Sequence, residues 1–338
     1  MKFEIINNKE KWNRFIESHE FSHAFQLYEW GEIKKNQGWQ PVRLGLLDER
    51  GNINAGSQIL FKKLPIFSLK IAQIPFGPVL DYDNPELLKF FFNHFYQFIK
   101  TEKYALLFFE PYSFFNKNIK IIRAKESLNQ LYYHYTILID LTKSEENIFH
   151  NFRPTYQNEI RQTEKKEVKV IENSTENGIN EFYKMYASTY QRTKRTPLPQ
   201  KIFNSIATLW FPTGNARLFF SEYNHQKISA ALILYSGKTC VYMFAASSVN
   251  SNLNRLPGQK LLTWYVIKES KNNGYRFFDL GGVTPTAKQG TKRWGIYFFK
   301  KGFGGELMRL TPTHEIGCNP LLTRFCSLLL KVMDVIKK

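Results

Sequence analysis

One order of elements can be read twice along this chain, and it constrains the fold more than any single motif. In the first half, apolar residues at helical spacing mark short helices at residues 9–19 and 26–36. A strand at 41–47 turns through Asp48-Glu49-Arg50-Gly51-Asn52 into its partner at 53–61, and a third strand follows at 71–74. Asn84 caps a helix with Pro85 in its first turn and Leu88, Phe91, Phe92, Phe95 and Phe98 on one face; a strand at 105–109 then ends in Glu110-Pro111. The second half runs through helices at 179–192 and 200–210, a strand at 217–222, a turn at Asn224-His225-Gln226 and strands at 228–235 and 239–244. A helix from about 259 to 273, stopped by Gly274, and a strand at 275–280 complete it. Helix, helix, hairpin, strand, helix, strand thus recurs although residue identities do not. The expectation is an α/β chain of two similar domains, residues 1–140 and 141–338, each a mixed sheet flanked by helices.

The second repeat points to a site. A strand, the loop at Pro257-Gly258, a helix and a strand ending in Asp279-Leu280-Gly281-Gly282 form a crossover unit whose open end can receive a ligand. Downstream, Tyr297-Phe298-Phe299-Lys300-Lys301-Gly302-Phe303-Gly304 reads as a catalytic loop that delivers Lys300 to this end. Partly desolvated by the neighbouring rings, the Lys300 ammonium would act strongly on a developing oxyanion. Taken as residues alone, Lys300 and Lys301 fit surface lysines on a glycine-rich turn equally well. Glu110 and Tyr242, at or near strand ends, are further candidates for facing a substrate.

Charge narrows the partners. A formal net charge of +18 favours encounters with phosphates, whether on nucleic acid, anionic lipid or a nucleotide-linked substrate. Arg153, Arg161, Lys165, Lys166 and Lys169 are either a local phosphate-binding cluster or a solvated helix face. Cys240, Cys318 and Cys326 lack metal-site spacing and read as reduced packing thiols, and the scattered histidines suggest no metal site. No apolar run is long enough to span a membrane, and residues 1–8 lack the apolar core of a secretory signal, so a cytoplasmic location is expected. From residue 319, Leu321, Leu322, Phe325, Leu328, Leu329 and Met333 mark an amphipathic helix that packs on its own domain or docks on a membrane surface.

The order of elements, together with Trp30-Gly31-Glu32-Ile33-Lys34, Ile74-Pro75-Phe76-Gly77-Pro78-Val79, Phe109-Glu110-Pro111, Asp279-Leu280-Gly281-Gly282 and Phe299-Lys300-Lys301-Gly302-Phe303-Gly304, resembles the FemABX family of peptidoglycan bridge-forming aminoacyltransferases. The resemblance runs over nearly the whole chain. It implies a tandem of acetyltransferase-like (GNAT-type) domains and no cofactor. It also implies transfer of an amino acid from aminoacyl-tRNA to the stem peptide of a nucleotide- or lipid-linked peptidoglycan precursor, at the inner face of the membrane. By the same likeness, Lys300 matches a lysine that stabilises the oxyanion, with Phe299 beside it, and Lys34 matches a lysine that binds the precursor's phosphates. Phe76 stands where the family often has a basic residue, Glu110 where it often has Asp, and Leu198 where it has a phosphate-binding arginine; Arg192 and Arg195 are the nearby substitutes.

Two other functions fit the residues. An acyl-CoA-dependent N-acyltransferase acting on a cell-envelope sugar or amine would use Arg255-Leu256-Pro257-Gly258-Gln259 as its pyrophosphate loop, although Pro257 removes one amide donor. A tRNA- or membrane-binding module without catalysis would account for the charge but leaves Lys300 without a role.

Overall fold

Among the described residues, two sheets of seven strands carry the fold. The computed structural model describes residues 1–63, 70–114, 121, 123–127, 129–192, 194–249 and 256–317. The expected tail helix, Cys318, Cys326 and Arg255 lie outside the described residues.

The first unit is Met1–His134 together with the segment from Arg309. It runs β1 (Lys2–Ile5), α1 (Lys9–Ser18), α2 (Tyr28–Lys35), β2 (Gln40–Leu47), β3 (Ile53–Lys63), β4 (Lys70–Ile74), α3 (Pro85–Thr101), β5 (Tyr104–Phe109) and β6 (Lys125–Glu126). The second unit, Tyr135–Met308, runs β7 (Tyr135–Asp140), α4 (Glu145–His150), α5 (Pro154–Lys165), β8 (Lys169–Glu172), α6 (Glu176–Arg192), α7 (Gln200–Trp210), β9 (Ala216–Tyr223), β10 (Gln226–Ser236), β11 (Thr239–Ser247), α8 (Gly258–Asn272), β12 (Phe277–Asp279) and α9 (Lys292–Lys301), and then enters β13 (Glu306–Arg309). The chain returns to the first unit with β14 (His314–Ile316).

Local chemistry explains the expected elements. The Asp48 carboxylate accepts from the backbone N–H of Arg50 at 2.9 Å and of Asn52 at 2.8 Å, which closes the β2–β3 turn. Asn84 Oδ1 accepts from Leu87 N at 3.0 Å and starts α3, whose Phe91, Phe92 and Phe95 are buried. Each such ring contributes about 1.5–3 kcal/mol by leaving water. Ser144 caps α4, which the sequence also signals by a Ser directly before Glu145-Glu146, in the same way, through Asn147 N at 3.2 Å.

The two sheets have the same plan. The first is ordered β1-β2-β3-β4-β5-β14-β6 and the second, read from its other edge, β8-β9-β10-β11-β12-β7-β13. Each holds a parallel pair: β4 with β5 across α3, and β11 with β12 across α8. The sixth place is filled in the first sheet by a strand that comes after the second unit, and in the second by the strand that opens it. The expected boundary after residue 140 therefore falls at 134/135, and the segment from Arg309 belongs to the first unit. β12 is shorter than expected, and the glycine-rich stretch around Lys300 is a helix end, not a loop.

Candidate active site

The register of β11 and β12 builds the floor of the site. They pair at Thr239–Phe277, Cys240–Phe278 and Val241–Asp279; β12 then ends while β11 continues to Ser247. Buried Asp279 organises the turn at this strand end. Its Oδ1 accepts from Gly281 N at 2.6 Å and from the Thr136 hydroxyl on β7. Gly281 takes a φ of +74°, open to glycine at no steric cost, and a Cβ there would lie 3.0 Å from Tyr242 O and 3.4 Å from Lys300 Nζ. Backbone and ammonium approach one another here because no side chain intervenes.

Lys300 reaches this floor from the last turn of α9. Thr291 caps the helix, its hydroxyl accepting from Trp294 N at 3.3 Å. Beyond its end, Phe303 is 1% exposed and packs against Phe152 and Tyr156, while Gly304, at φ +69°, leaves no room for a Cβ against Asn151 O. The anchored end fixes the direction of Lys300, whose Nζ donates to Gly282 O at 3.0 Å. Burial lowers its pKa to about 8, opposed by the charge of Asp279. At pH 7 such a group is still about nine-tenths protonated. One of its three N–H donors is committed to Gly282, which leaves two for a substrate.

The neighbouring helix residue, Phe299, is half-buried with its ring 5.3 Å from Phe303, and it lines a cavity of about 380 Å³ at the start of α8. Gln259 and Ser247 line the same cavity. The Gln259 amide donates to the Tyr242 hydroxyl, which burial pushes up to about 12. Arg192 donates to Ser247 O at 3.2 Å. Phe299 thus lines the cavity itself, whereas Tyr242 and Arg192 touch it only through their bonds to Gln259 and Ser247. Arg195 lies over the Tyr190 ring at 5.3 Å, and its charge helps hold the Lys292 amine below the ordinary lysine range, although desolvation contributes more.

The same cavity bears on acyl-CoA binding, because α8 begins there. A pyrophosphate at a helix start needs free amides. Gly258 N is already bonded to Leu256 O at 2.8 Å and Lys260 N to Pro257 O at 3.0 Å, and Pro257 has no N–H. The surroundings of Lys260 are also acidic, since its ammonium pairs with Glu159.

In the first unit, the Trp30-Gly31-Glu32 motif proves structural. Arg43 is 5% exposed, pairs with Glu32 at 2.9 Å and donates to Tyr28 O at 2.6 Å; its Nη2 lies where a Cβ on Gly31 would be. Lys34 differs from its neighbours. It is 8% exposed, donates to Gln37 Oε1 and lies 5.7 Å from the Trp30 ring centroid. Desolvation and then the charge of Lys62 on β3 lower it to about 8. Lys62 stands 4.8 Å over the Trp39 ring, and Trp39 N is bonded to Lys34 O at 3.2 Å. Desolvation also lowers Lys62 itself, and two partly desolvated ammonium groups side by side suit a bound anion. Sequence reasoning passed over Lys62, because Lys62 and Lys63 at a strand end look like solvated ends.

Glu110 directly follows β5 and is fully buried. Its Oε2 accepts from the Thr313 hydroxyl at 2.6 Å and from Tyr132 N at 3.2 Å. Desolvation outweighs these bonds and raises its pKa to about 7. The Pro75–Pro78 loop walls a cavity of about 520 Å³ whose rim includes Glu20, Asp81 and Asp83. Of the basic cluster expected around α5, Arg153 stands at the N-cap position without a side-chain cap bond and Lys165 lies in the last turn, about 18 Å away along the axis, so these two do not share one patch. Cys240 is a buried free thiol pushed up to about 12, in keeping with a packing role. Among the described residues no group of His, Cys, Asp or Glu could hold a metal ion, and no helix is long and apolar enough to cross a membrane.

Comparison with known proteins agrees with this plan. The chain is 22% identical to a lipid II:glycine glycyltransferase of Staphylococcus haemolyticus, in an alignment that covers 89% of each chain. It superposes on the crystal structure of FemX with a TM-score of 0.85 at 19% identity, covering 96% of this chain and 99% of that one. A tandem GNAT protein from the clavulanic acid biosynthesis pathway matches with a TM-score of 0.51 at 8% identity, over 94% and 99% of the two chains. The fold is thus mixed α/β of the tandem GNAT-like kind. Residues 8–131 and 200–331 match the sequence pattern of the FemAB family, and the chain belongs to that family.

Proposed function

We propose that this protein is an aminoacyltransferase that moves an amino acid from an aminoacyl-tRNA ester to the amine of a peptidoglycan-precursor stem peptide. The observation that carries the reading is the desolvated Lys300 ammonium, held against Gly281 and Gly282 by a helix that is anchored beyond its end. The names of the relatives suggest the acceptor class, and the aminoacyl-tRNA donor rests on the family resemblance. The acceptor amine attacks the ester carbonyl, negative charge develops on the carbonyl oxygen, and collapse breaks the bond to the ribose oxygen, which takes up the proton that the amine gives up and leaves as the hydroxyl, so that an amide remains. Amines are good nucleophiles, so the demand is for orientation and for a fixed positive charge at the oxyanion. Lys300 supplies the charge, and Phe299 and the neighbouring rings keep water from screening it. Tyr242 and Arg192 border the reacting centre, and Arg192 and Arg195 bind phosphates. Lys34 holds the phosphates of a nucleotide- or lipid-linked acceptor. Glu110 positions the acceptor side, and the acidic rim near Phe76 suits an ammonium. A lipid-linked acceptor would bring the protein to the inner membrane face.

The amide bonding at the start of α8 favours this over an acyl-CoA donor. The deciding experiment incubates the protein with charged tRNA or acyl-CoA plus a peptidoglycan precursor and weighs the product. A mass increase of one amino-acid residue with tRNA only is expected; acylation from acyl-CoA alone would overturn the reading.

A further inference from the structure

Withdrawing a cation from water is costly unless an opposite charge takes the water's place. For several cations of this molecule that charge is a carboxylate. Arg43 on β2 is buried against Glu32, and the half-buried Lys70, Lys227 and Lys260 pair with Glu102, Glu222 and Glu159. Lys34 and Lys62 break this pattern. Lys34 is buried and Lys62 half-buried, desolvation lowers both, and among the described residues neither ammonium forms an ion pair with a carboxylate. The fold also brings the two together. β2 and β3 pair Gln40 with Phe61, so Trp39 and Lys62 stand opposite one another just beyond that pair. The Lys62 ammonium lies 4.8 Å over the Trp39 ring, and Trp39 N is bonded to Lys34 O at the end of α2. The Trp39 and Trp30 rings steady the two ammonium groups without consuming their N–H donors. Lys34 has committed one donor to Gln37 and keeps two; Lys62 makes no hydrogen bond among the described residues and keeps all three. Lys63, the next residue of β3, is exposed, as the alternation of a strand requires.

We infer that Lys62 is a second ligand of the acceptor and that, with Lys34, it holds a diphosphate linkage, one phosphate to each ammonium. A diphosphate that joins two groups carries one negative charge on each phosphate. It therefore neutralises both lysines and relieves the repulsion that Lys62 exerts on Lys34. A carboxylate or a phosphodiester carries a single charge and would leave one desolvated ammonium uncompensated. Lysine suits this task because its ammonium is a compact charge whose free donors can turn to follow the oxygens of either phosphate.

The role of Lys62 rests on the reading of Lys34 as a ligand of the acceptor's phosphates, so the two are tested apart. Binding is read by titration calorimetry, without turnover, for three soluble ligands: the sugar–peptide unit of the precursor on uridine diphosphate, the same unit on a short prenyl diphosphate, and the unit with no diphosphate. Lys62→Met should weaken the diphosphate ligands about tenfold, the loss of one charge-assisted contact, and leave the third unchanged. Lys34→Met should do the same, Lys62→Arg should retain most of the affinity and Lys63→Met all of it. Tighter binding of the uridine or of the prenyl form supports the linkage in either case and identifies its carrier. Thermal melts should place Lys62→Met at or above wild type, because an unpaired charge has been removed. Wild-type affinity in Lys62→Met with a loss in Lys34→Met would overturn the role of Lys62 and leave the acceptor reading standing. Wild-type affinity in both variants, or a wild type that binds the unit equally well without its diphosphate, would overturn both. An equal loss for all three ligands in Lys62→Met would be a structural effect and would overturn the inference.

Discussion

Lys300→Met should give an enzyme that is both more stable and nearly inactive. The folded protein holds the Lys300 amine at about 8 against its ordinary 10.5, so the charged form is disfavoured by the fold below pH 8. At 1.36 kcal/mol per pKa unit that penalty is on the order of 3 kcal/mol. Methionine keeps the stem, removes the penalty and gives up one hydrogen bond to Gly282 O, worth about 1 kcal/mol. The net gain is on the order of 1–2 kcal/mol, or a rise in Tm of a few degrees. Turnover should fall by a factor on the order of a hundred, because the oxyanion loses its preorganised cation. The sign with pH is fixed. Between about 8 and 10.5 the unfolded chain binds the proton more tightly than the folded one, so the wild type gains stability as pH rises and the gap to the variant closes. Turnover assays with saturating donor and acceptor, with chemical melts at pH 7 and 10, test both halves. Lys301→Met is the control; the Lys301 ammonium lies 5.6 Å over the Tyr297 ring and makes no approach to Gly282. Near-normal turnover, equal effects at both lysines, or a variant clearly less stable than wild type would refute the reasoning.

Gly281→Ala places a Cβ in the left-handed region and against Tyr242 O, costing about 1–2 kcal/mol; turnover should drop by tenfold or more as the ammonium is displaced, and kinetics matching wild type would count against the close approach. Glu110→Gln should be stability-neutral near pH 4.5 and stabilising by pH 8: the wild type loses stability as pH rises from 4.5 to about 7, where the folded carboxyl holds its proton and the unfolded one does not. Urea melts showing a pH-independent difference would exclude this. Lys34→Met should raise the acceptor KM about tenfold with kcat little changed, as loss of uniform binding predicts; an unaltered KM removes Lys34 from the acceptor site.

What the chain decides locally is its elements. Asn84, Ser144 and the Asp48 turn act within four residues, so the helices and hairpins they start could be read without any tertiary contact, and so could the twofold order. The crossover ending in Gly281-Gly282 was legible too, because its strand, helix and strand are consecutive. Other features depend on partners far along the chain. β14 is three residues long and exists through pairing with β5, some two hundred positions earlier, so its sequence carries no signal of its own. The same holds for β7, whose place in the second sheet depends on β12. Around Lys300, Gly295 and the glycines after the helix hide α9 from propensity, and its rings form no single apolar stripe. Nothing local separates Lys300 from Lys301. Tertiary structure does, by anchoring Phe303 in the core so that one ammonium is turned onto the strand end and desolvated there while the other lies over a ring. Desolvation is a property of everything packed around a group, which is why the lowered pKa of Lys300, like those of Lys34 and its unforeseen neighbour Lys62, came from the fold.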